Sequence, residues 1–255
     1  MEAHFQRVAH RGGSLLAPEN TLAAFRHALT LPIDAIELDL QMSCDGHAVV
    51  FHDNTVERLT NGTGNILNLD LAYLRSLDAA AHFSGGWPEP QQIPTLHEVL
   101  ALAKGRVQVY IEIKLAQQDG LYTSYPHIAE TVVSEVQEAG MHDQVIVISF
   151  DWPILAEIKA LEATIATGAI VSRNVWNPEP KQALETLIEQ LQSLDCSWVN
   201  LDDRLFTAEI LETVHRHHLK LGIWTVNTLS RLRTLAASGV DSLTTDRPDF
   251  FSAIS

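Results

Sequence analysis

The chain has 255 residues, is 46% hydrophobic and 19% charged, and carries a formal net charge of −15. That is the composition of one large globular domain or two small ones, not of a disordered chain. So acidic a surface repels phosphate backbones and anionic headgroups, which excludes sequence-independent nucleic-acid binding and electrostatic membrane docking.

Short apolar runs, most of them rich in β-branched residues, predict strands at 7–10, 35–40, 107–113, 145–149, 165–169, 198–201, 221–226 and 241–245. Amphipathic spacing between them predicts helices at 21–31, 96–103, 128–139, 154–161, 182–194, 208–218 and 229–237, with Thr95 and Ser230 as candidate capping residues. Residues 48–52 follow the second strand too closely for a crossover helix. Asp45-Gly46 marks a tight turn between them, so this run is predicted to return antiparallel. Residues 54–94 are the one long irregular stretch, with a helix-like piece at 69–77; a stretch of that length in a compact domain suits a lid or a binding insertion.

Setting the return arm aside leaves eight β/α units in about 250 residues, the arithmetic of a closed parallel barrel. The expected fold is therefore an α/β (β/α)8 TIM barrel, one domain over 1–255, with a β-hairpin and the insertion 54–94 after the second barrel strand. A doubly wound open sheet competes, but Arg11-Gly12-Gly13 does not fit the Gly-x-Gly-x-x-Gly that would follow its first strand.

Two cysteines, Cys44 and Cys196, are too few for a disulfide framework or a zinc cluster and suit a reducing compartment. The stretch from Met1 to Arg7 lacks the charged start and apolar run of a secretion signal, and no apolar run is long enough to span a bilayer. The expectation is a cytoplasmic protein with no stable membrane insertion.

In a parallel barrel the active site is built at the C-terminal ends of the strands. Glu37 and Asp39 are two apart on a strand, so both carboxylates face one side, with Cα atoms roughly 7 Å apart. Glu112, on the strand after the insertion, is a third carboxylate. An all-oxygen set of this kind suits Mg²⁺ or Ca²⁺; the alternative is a structural ion network with Arg11 and Lys114. His10 and His52 end adjacent strands. Such a pair supplies an acid and a base near neutral pH, or else hydrogen-bonds structurally. His215 and His218, three apart on a predicted helix, either touch one metal or decorate the C-terminus of that helix. Gly12 and Gly13 allow either close approach to a ligand or a tight turn.

The ordered motifs Ala9-His10-Arg11-Gly12-Gly13, Pro18-Glu19-Asn20-Thr21, Glu37-Leu38-Asp39, Asp45-Gly46, Val50-Phe51-His52-Asp53, Ile111-Glu112-Ile113-Lys114, Ser149-Phe150, Trp224-Thr225-Val226-Asn227 and Thr245-Asp246-Arg247-Pro248 span nearly the whole chain. Together they resemble the glycerophosphodiester phosphodiesterase family. The resemblance implies a TIM barrel with a divalent metal, Mg²⁺ or Ca²⁺, on Glu37, Asp39 and Glu112. It implies His10 and His52 as the acid/base pair, Arg11 and Lys114 on the phosphate, Trp224 on the glycerol and Asn20 behind the metal. The reaction implied is hydrolysis of a small glycerophosphodiester to glycerol 3-phosphate and an alcohol, through attack by the glycerol hydroxyl and a cyclic phosphate. Two other readings stay open: a related barrel acting on lysophospholipids, of lysophospholipase D type, and a non-catalytic phosphoester-binding barrel.

Overall fold

The computed structural model describes residues 5–179 and 182–254. Residues 1–4, which carry part of the expectation of no leader, lie outside the described residues. Among the described residues no helix is long and apolar enough to cross a membrane.

The barrel strands are β1 (Gln6–Ala9), β2 (Ala35–Met42), β4 (Gln108–Ile113), β7 (Val145–Ser149), β8 (Ala166–Val171), β9 (Trp198–Asp202), β10 (Lys220–Trp224) and β11 (Ser242–Thr245). Each pairs parallel with its neighbours, and β1 pairs with both β2 and β11, which closes the ring. The expected eight-stranded parallel barrel is what forms. Its helices are α1 (Leu22–Ala28), α3 (Leu96–Ala103), α4 (Ile128–Ala139), α5 (Trp152–Leu161), α6 (Ala183–Ser193), α7 (Ala208–Arg216) and α8 (Leu229–Ser238). A short α2 (Leu71–Ser76) lies inside the insertion.

Alternation along each strand divides its side chains between two cores. Ile36, Leu38 and Leu40 of β2 and Val109, Ile111 and Ile113 of β4 join the large cluster under the helices. Ala35 and Tyr110, on the other face, join Val8, Ile146, Ile148, Ile170 and Trp198 inside the barrel. The interior mixes large and absent side chains: a Cβ on Gly168 would stand 2.7 Å from the Cβ of Trp198. The same alternation turns Glu37 and Asp39 inward above Ala35, and Glu112 inward above Tyr110.

The return arm is β3 (Ala48–Val50), antiparallel to β2 as Asp45-Gly46 predicts. Thr95 caps α3 in a full capping box with Glu98. At α8 the expectation fails: Thr228 is the cap, accepting from the backbone N–H of Arg231, and Ser230 lies within the helix. A second hairpin, β5 (Ala116–Gln118) and β6 (Leu121–Thr123), was not predicted. Its turn, Asp119-Gly120, carries the same signal as Asp45-Gly46, and both residues have positive φ.

The insertion carries a core of its own. Val56, Ile66, Leu74, Leu77, Ala79 and Ile93 bury themselves with Val49 and Phe51 in a separate cluster. That packing makes it a buttress on the outer side of β3.

Candidate active site

Strand ends place the chemistry. After Ala9 the chain turns sharply, with Arg11 at φ 52° and Gly12 and Gly13 at 79° and 91°. A Cβ on Gly12 would meet the Cβ of Ala24 at 2.8 Å, and one on Gly13 would meet Pro248 at 2.8 Å. The turn and its packing therefore account for both glycines. The turn also aims the backbone N–H of Arg11 at Glu37 Oε2, 2.9 Å away.

His52 is fixed by Gln41. The carboxamide of this buried residue donates 2.8 Å bonds to the carbonyls of Phe51 and Asp53, on either side of His52. The N–H of Phe51 donates to the carbonyl of Asp39 at 2.9 Å, so the return arm ends beside the acidic cluster.

Glu37, Asp39 and Glu112 converge: they offer one oxygen each, all within 4.8 Å of one another. Asp39 stands opposite Glu112 in the β2–β4 register. Asn20, held at φ 56°, donates Nδ2–H to Asp39 Oδ2 at 2.8 Å, and its Oδ1 accepts from the N–H of Asp39. Arg11 Nε lies 3.1 Å from Asp39, and its Nη1 donates to Glu19 at 2.9 Å. Lys114 Nζ lies 2.6 Å from Glu112 and 3.4 Å from Asp39.

The ion network therefore exists, yet it does not satisfy the acids. Glu37 Oε1 and Asp39 Oδ1 are buried without a hydrogen-bond partner, the latter with only the 3.4 Å ion-pair contact to Lys114. Burial, reinforced by the charge of Asp39, pushes the Glu37 carboxyl up to about 8. Asp39, opposed by burial, is held well below the usual carboxylate range by Arg11 and Lys114. A hard divalent cation fits this donor set, because it would take up both orphaned oxygens and relieve the repulsion between the acids.

Two histidines flank the acids, each with an aspartate on Nδ1. His10 Nδ1 lies 2.5 Å from Asp246 Oδ1, and His52 Nδ1 lies 2.6 Å from Asp53 Oδ1. Such a partner fixes the ring and leaves Nε2 for proton transfer; Nε2 of His10 is 3.9 Å from Glu37. Burial opposes the imidazolium of His10, but Glu37 and Asp246 outweigh it and raise its pKa. Asp246 in turn accepts from Ser14 and Asn227, and Asp53 from Arg58. Arg58, from the insertion, also donates to Glu19 at 2.8 Å, tying the His52 side to the Arg11 side.

Arg58 was not among the sequence candidates, and Asp53 and Asp246 had no role assigned. The two aspartates stood within the motifs, directly after His52 and Thr245. Trp224, half-buried, donates Nε1–H to the carbonyl of Asn200 at 2.8 Å. It lines a small cavity with His10, Glu37 and Glu112. His215 and His218 lie elsewhere: His215 Nε2 is 2.8 Å from Asp241.

A model of the glycerophosphoryl diester phosphodiesterase family matches residues 10–250. The chain is 34% identical over 243 residues to a glycerophosphodiester phosphodiesterase of Caldanaerobacter subterraneus subsp. tengcongensis, covering 95% of this chain and 94% of that protein. It is 31% identical to one of Bacillus subtilis, covering 97% and 85%. Among solved structures it is similar to a glycerophosphodiester phosphodiesterase from Agrobacterium tumefaciens, with TM-score 0.81, 26% identity and 98% and 100% of the two chains covered. It is also similar to an Oleispira antarctica phosphodiesterase in complex with the product sn-glycerol-3-phosphate, with TM-score 0.80, 28% identity and coverage of 97% and 95%.

Proposed function

This chain belongs to the glycerophosphoryl diester phosphodiesterase family and hydrolyses glycerophosphodiesters, and we propose that it does so with a divalent cation on Glu37, Asp39 and Glu112 and with His10 and His52 as its acid/base pair. The observation that carries this reading is a cluster of three carboxylates with two orphaned oxygens, flanked by two histidines each held by an aspartate. When bound, the cation supplies charge neutralisation at the phosphate, without which a diester anion would meet an acidic site.

The chain's own residues do the rest. Arg11 offers a planar fork to phosphate oxygens and Lys114 a point charge. One histidine takes the proton of the attacking hydroxyl and the other protonates the leaving alcohol. Asp246 and Asp53 hold the two rings and stabilise their charged forms. Asn20 orients Asp39 from behind. Trp224 packs on the glycerol carbons. The first nucleophile in this reading is the neighbouring glycerol hydroxyl, already held near phosphorus, which gives a cyclic phosphate that water then opens. The cation is Mg²⁺ or Ca²⁺, and the location is cytoplasmic, consistent with the free thiols of Cys44 and Cys196.

The test is product analysis on purified protein. Glycerophosphocholine with Mg²⁺ or Ca²⁺ is expected to release glycerol 3-phosphate and choline, with a transient cyclic glycerol phosphate in quenched flow. Release of phosphocholine and glycerol would contradict the bond assignment. Rapid cleavage of the 2-deoxy analogue would overturn the cyclic route.

A further inference from the structure

The acidic cluster stands between two unequal spaces. The cavity on the His10 and Trp224 side is about 30 Å³, while a groove of about 800 Å³ opens on the His52 and Lys114 side. Glu112 lines both. The boundary includes an aromatic pair: Phe150, lining the groove, packs edge-on against Trp224, lining the cavity, with centroids 5.7 Å apart. A phosphodiester has two arms, so a phosphate held at the cluster sends one arm toward each space.

The groove is built, and its outer wall is the unpredicted hairpin β5–β6. Asn54 Oδ1 accepts from the N–H of Gln117 at 3.1 Å, and Asn65 Nδ2 donates to the carbonyl of Gln117 at 2.7 Å. The buttressing insertion thus clamps the hairpin base beside the site. Tyr122 and Val175 face the groove with 62% and 41% of their surface exposed.

Resting on the phosphodiesterase reading above, we infer that this groove receives the leaving alcohol and that Tyr122, with Phe150, selects an uncharged, ring-bearing polyol. Charge decides the class. Every charged group lining the groove sits at its phosphate end and is already engaged: His52 with Asp53, Asp53 with Arg58, and Lys114 with Glu112. The uncharged lining is Leu115, Tyr122, Val175 and, at the boundary, Phe150, together with Thr55, Gln117 and Asn174. A quaternary ammonium favours aromatic faces, but both carboxylates among the described residues lining the groove are already ion-paired, Asp53 with Arg58 and Glu112 with Lys114. A long acyl chain meets amides and a hydroxyl at intervals along the wall. A ring with an apolar face and hydroxyls at its edge matches both kinds of surface, and it uses a volume that ethanolamine would leave mostly empty.

The experiment compares kcat/KM for glycerophosphoinositol, glycerophosphocholine and glycerophosphoethanolamine, using wild type, Tyr122→Ala and Tyr122→Phe. Glycerophosphoinositol is expected to be preferred. Tyr122→Ala is expected to lower its kcat/KM about tenfold, mainly through KM, and to change the ethanolamine compound less than twofold. Tyr122→Phe keeps the ring face and is expected to stay near wild type. A preference for the choline compound, or a Tyr122→Ala effect equal on all three or absent, overturns the inference. If wild type cleaves none of the three, the phosphodiesterase reading itself fails and the inference falls with it. Efficient cleavage of all three without discrimination sinks the inference alone.

Discussion

His10 and Asp246 lie 236 positions apart, yet Nδ1 of one is 2.5 Å from Oδ1 of the other. Closure of the barrel makes this contact, because β1 and β11 pair in register from Gln6 with Ser242 to Ala9 with Thr245. The next residue on each strand is the histidine or its aspartate. The barrel's seam and one half of the proposed acid/base pair are therefore the same structural event.

Asp246→Asn should leave the barrel folded and remove the charge that holds and supports the His10 ring. The expected loss in kcat is about 10²-fold, within the range for acid–base groups, with KM changed less than about threefold. His10→Ala should lose at least as much. Steady-state kinetics with circular dichroism as the fold control check both; near-native kcat in Asp246→Asn removes the aspartate from the mechanism.

Asn20→Ala deletes the donor to Asp39 Oδ2 and the acceptor for its N–H. Partners behind metal ligands typically matter by 10–100-fold in affinity, and a buried group left without its partner costs about 1–3 kcal/mol. Calorimetric titration of cation should show a Kd weaker by about tenfold or more, with a lower Tm in the same protein. An unchanged Kd would mean that Asn20 serves folding only.

The pH dependence follows from Glu37. In metal-free protein its carboxyl rises from 4.5 to about 8 through burial and the charge of Asp39. The native state then keeps a proton that the unfolded chain has released, so this group lowers stability as pH rises between those values. Cation binding displaces that proton and should tighten by about tenfold per pH unit up to about pH 8. Thermal melts with chelator and cation titrations at pH 6, 7 and 8 test both signs. An affinity independent of pH contradicts the assignment.

The sequence carried the barrel well, because short β-branched apolar runs report directly on strands buried on both faces. The acidic cluster was legible too: Glu37 and Asp39 share a face by period alone. What stayed hidden were relationships between distant loops. The hairpin at Asp119-Gly120 is flanked by short strands, one of them exposed at all three residues, so hydrophobic patterning is silent there. The core inside the insertion was hidden because polar and glycine residues dominate its count. Its buried residues, from Val56 to Ile93, are too widely spaced to register as one core. Asp53 and Asp246 were in view as motif members, but only closure of the ring brings Asp246 to Nδ1 of His10, and only the placing of the return arm shows Asp53 on Nδ1 of His52.

The cation's role at Glu37, Asp39 and Glu112 is tested most directly by one measurement: turnover of a glycerophosphodiester by protein stripped with chelator and checked by elemental analysis, followed by titration with Mg²⁺ or Ca²⁺, in wild type and Glu37→Gln. Wild type is expected to lose turnover on stripping and to regain it as cation is added back, while Glu37→Gln, still folded, regains little. Full turnover by metal-free wild type, or restoration of Glu37→Gln to the wild-type level at the same cation concentration, would contradict the account.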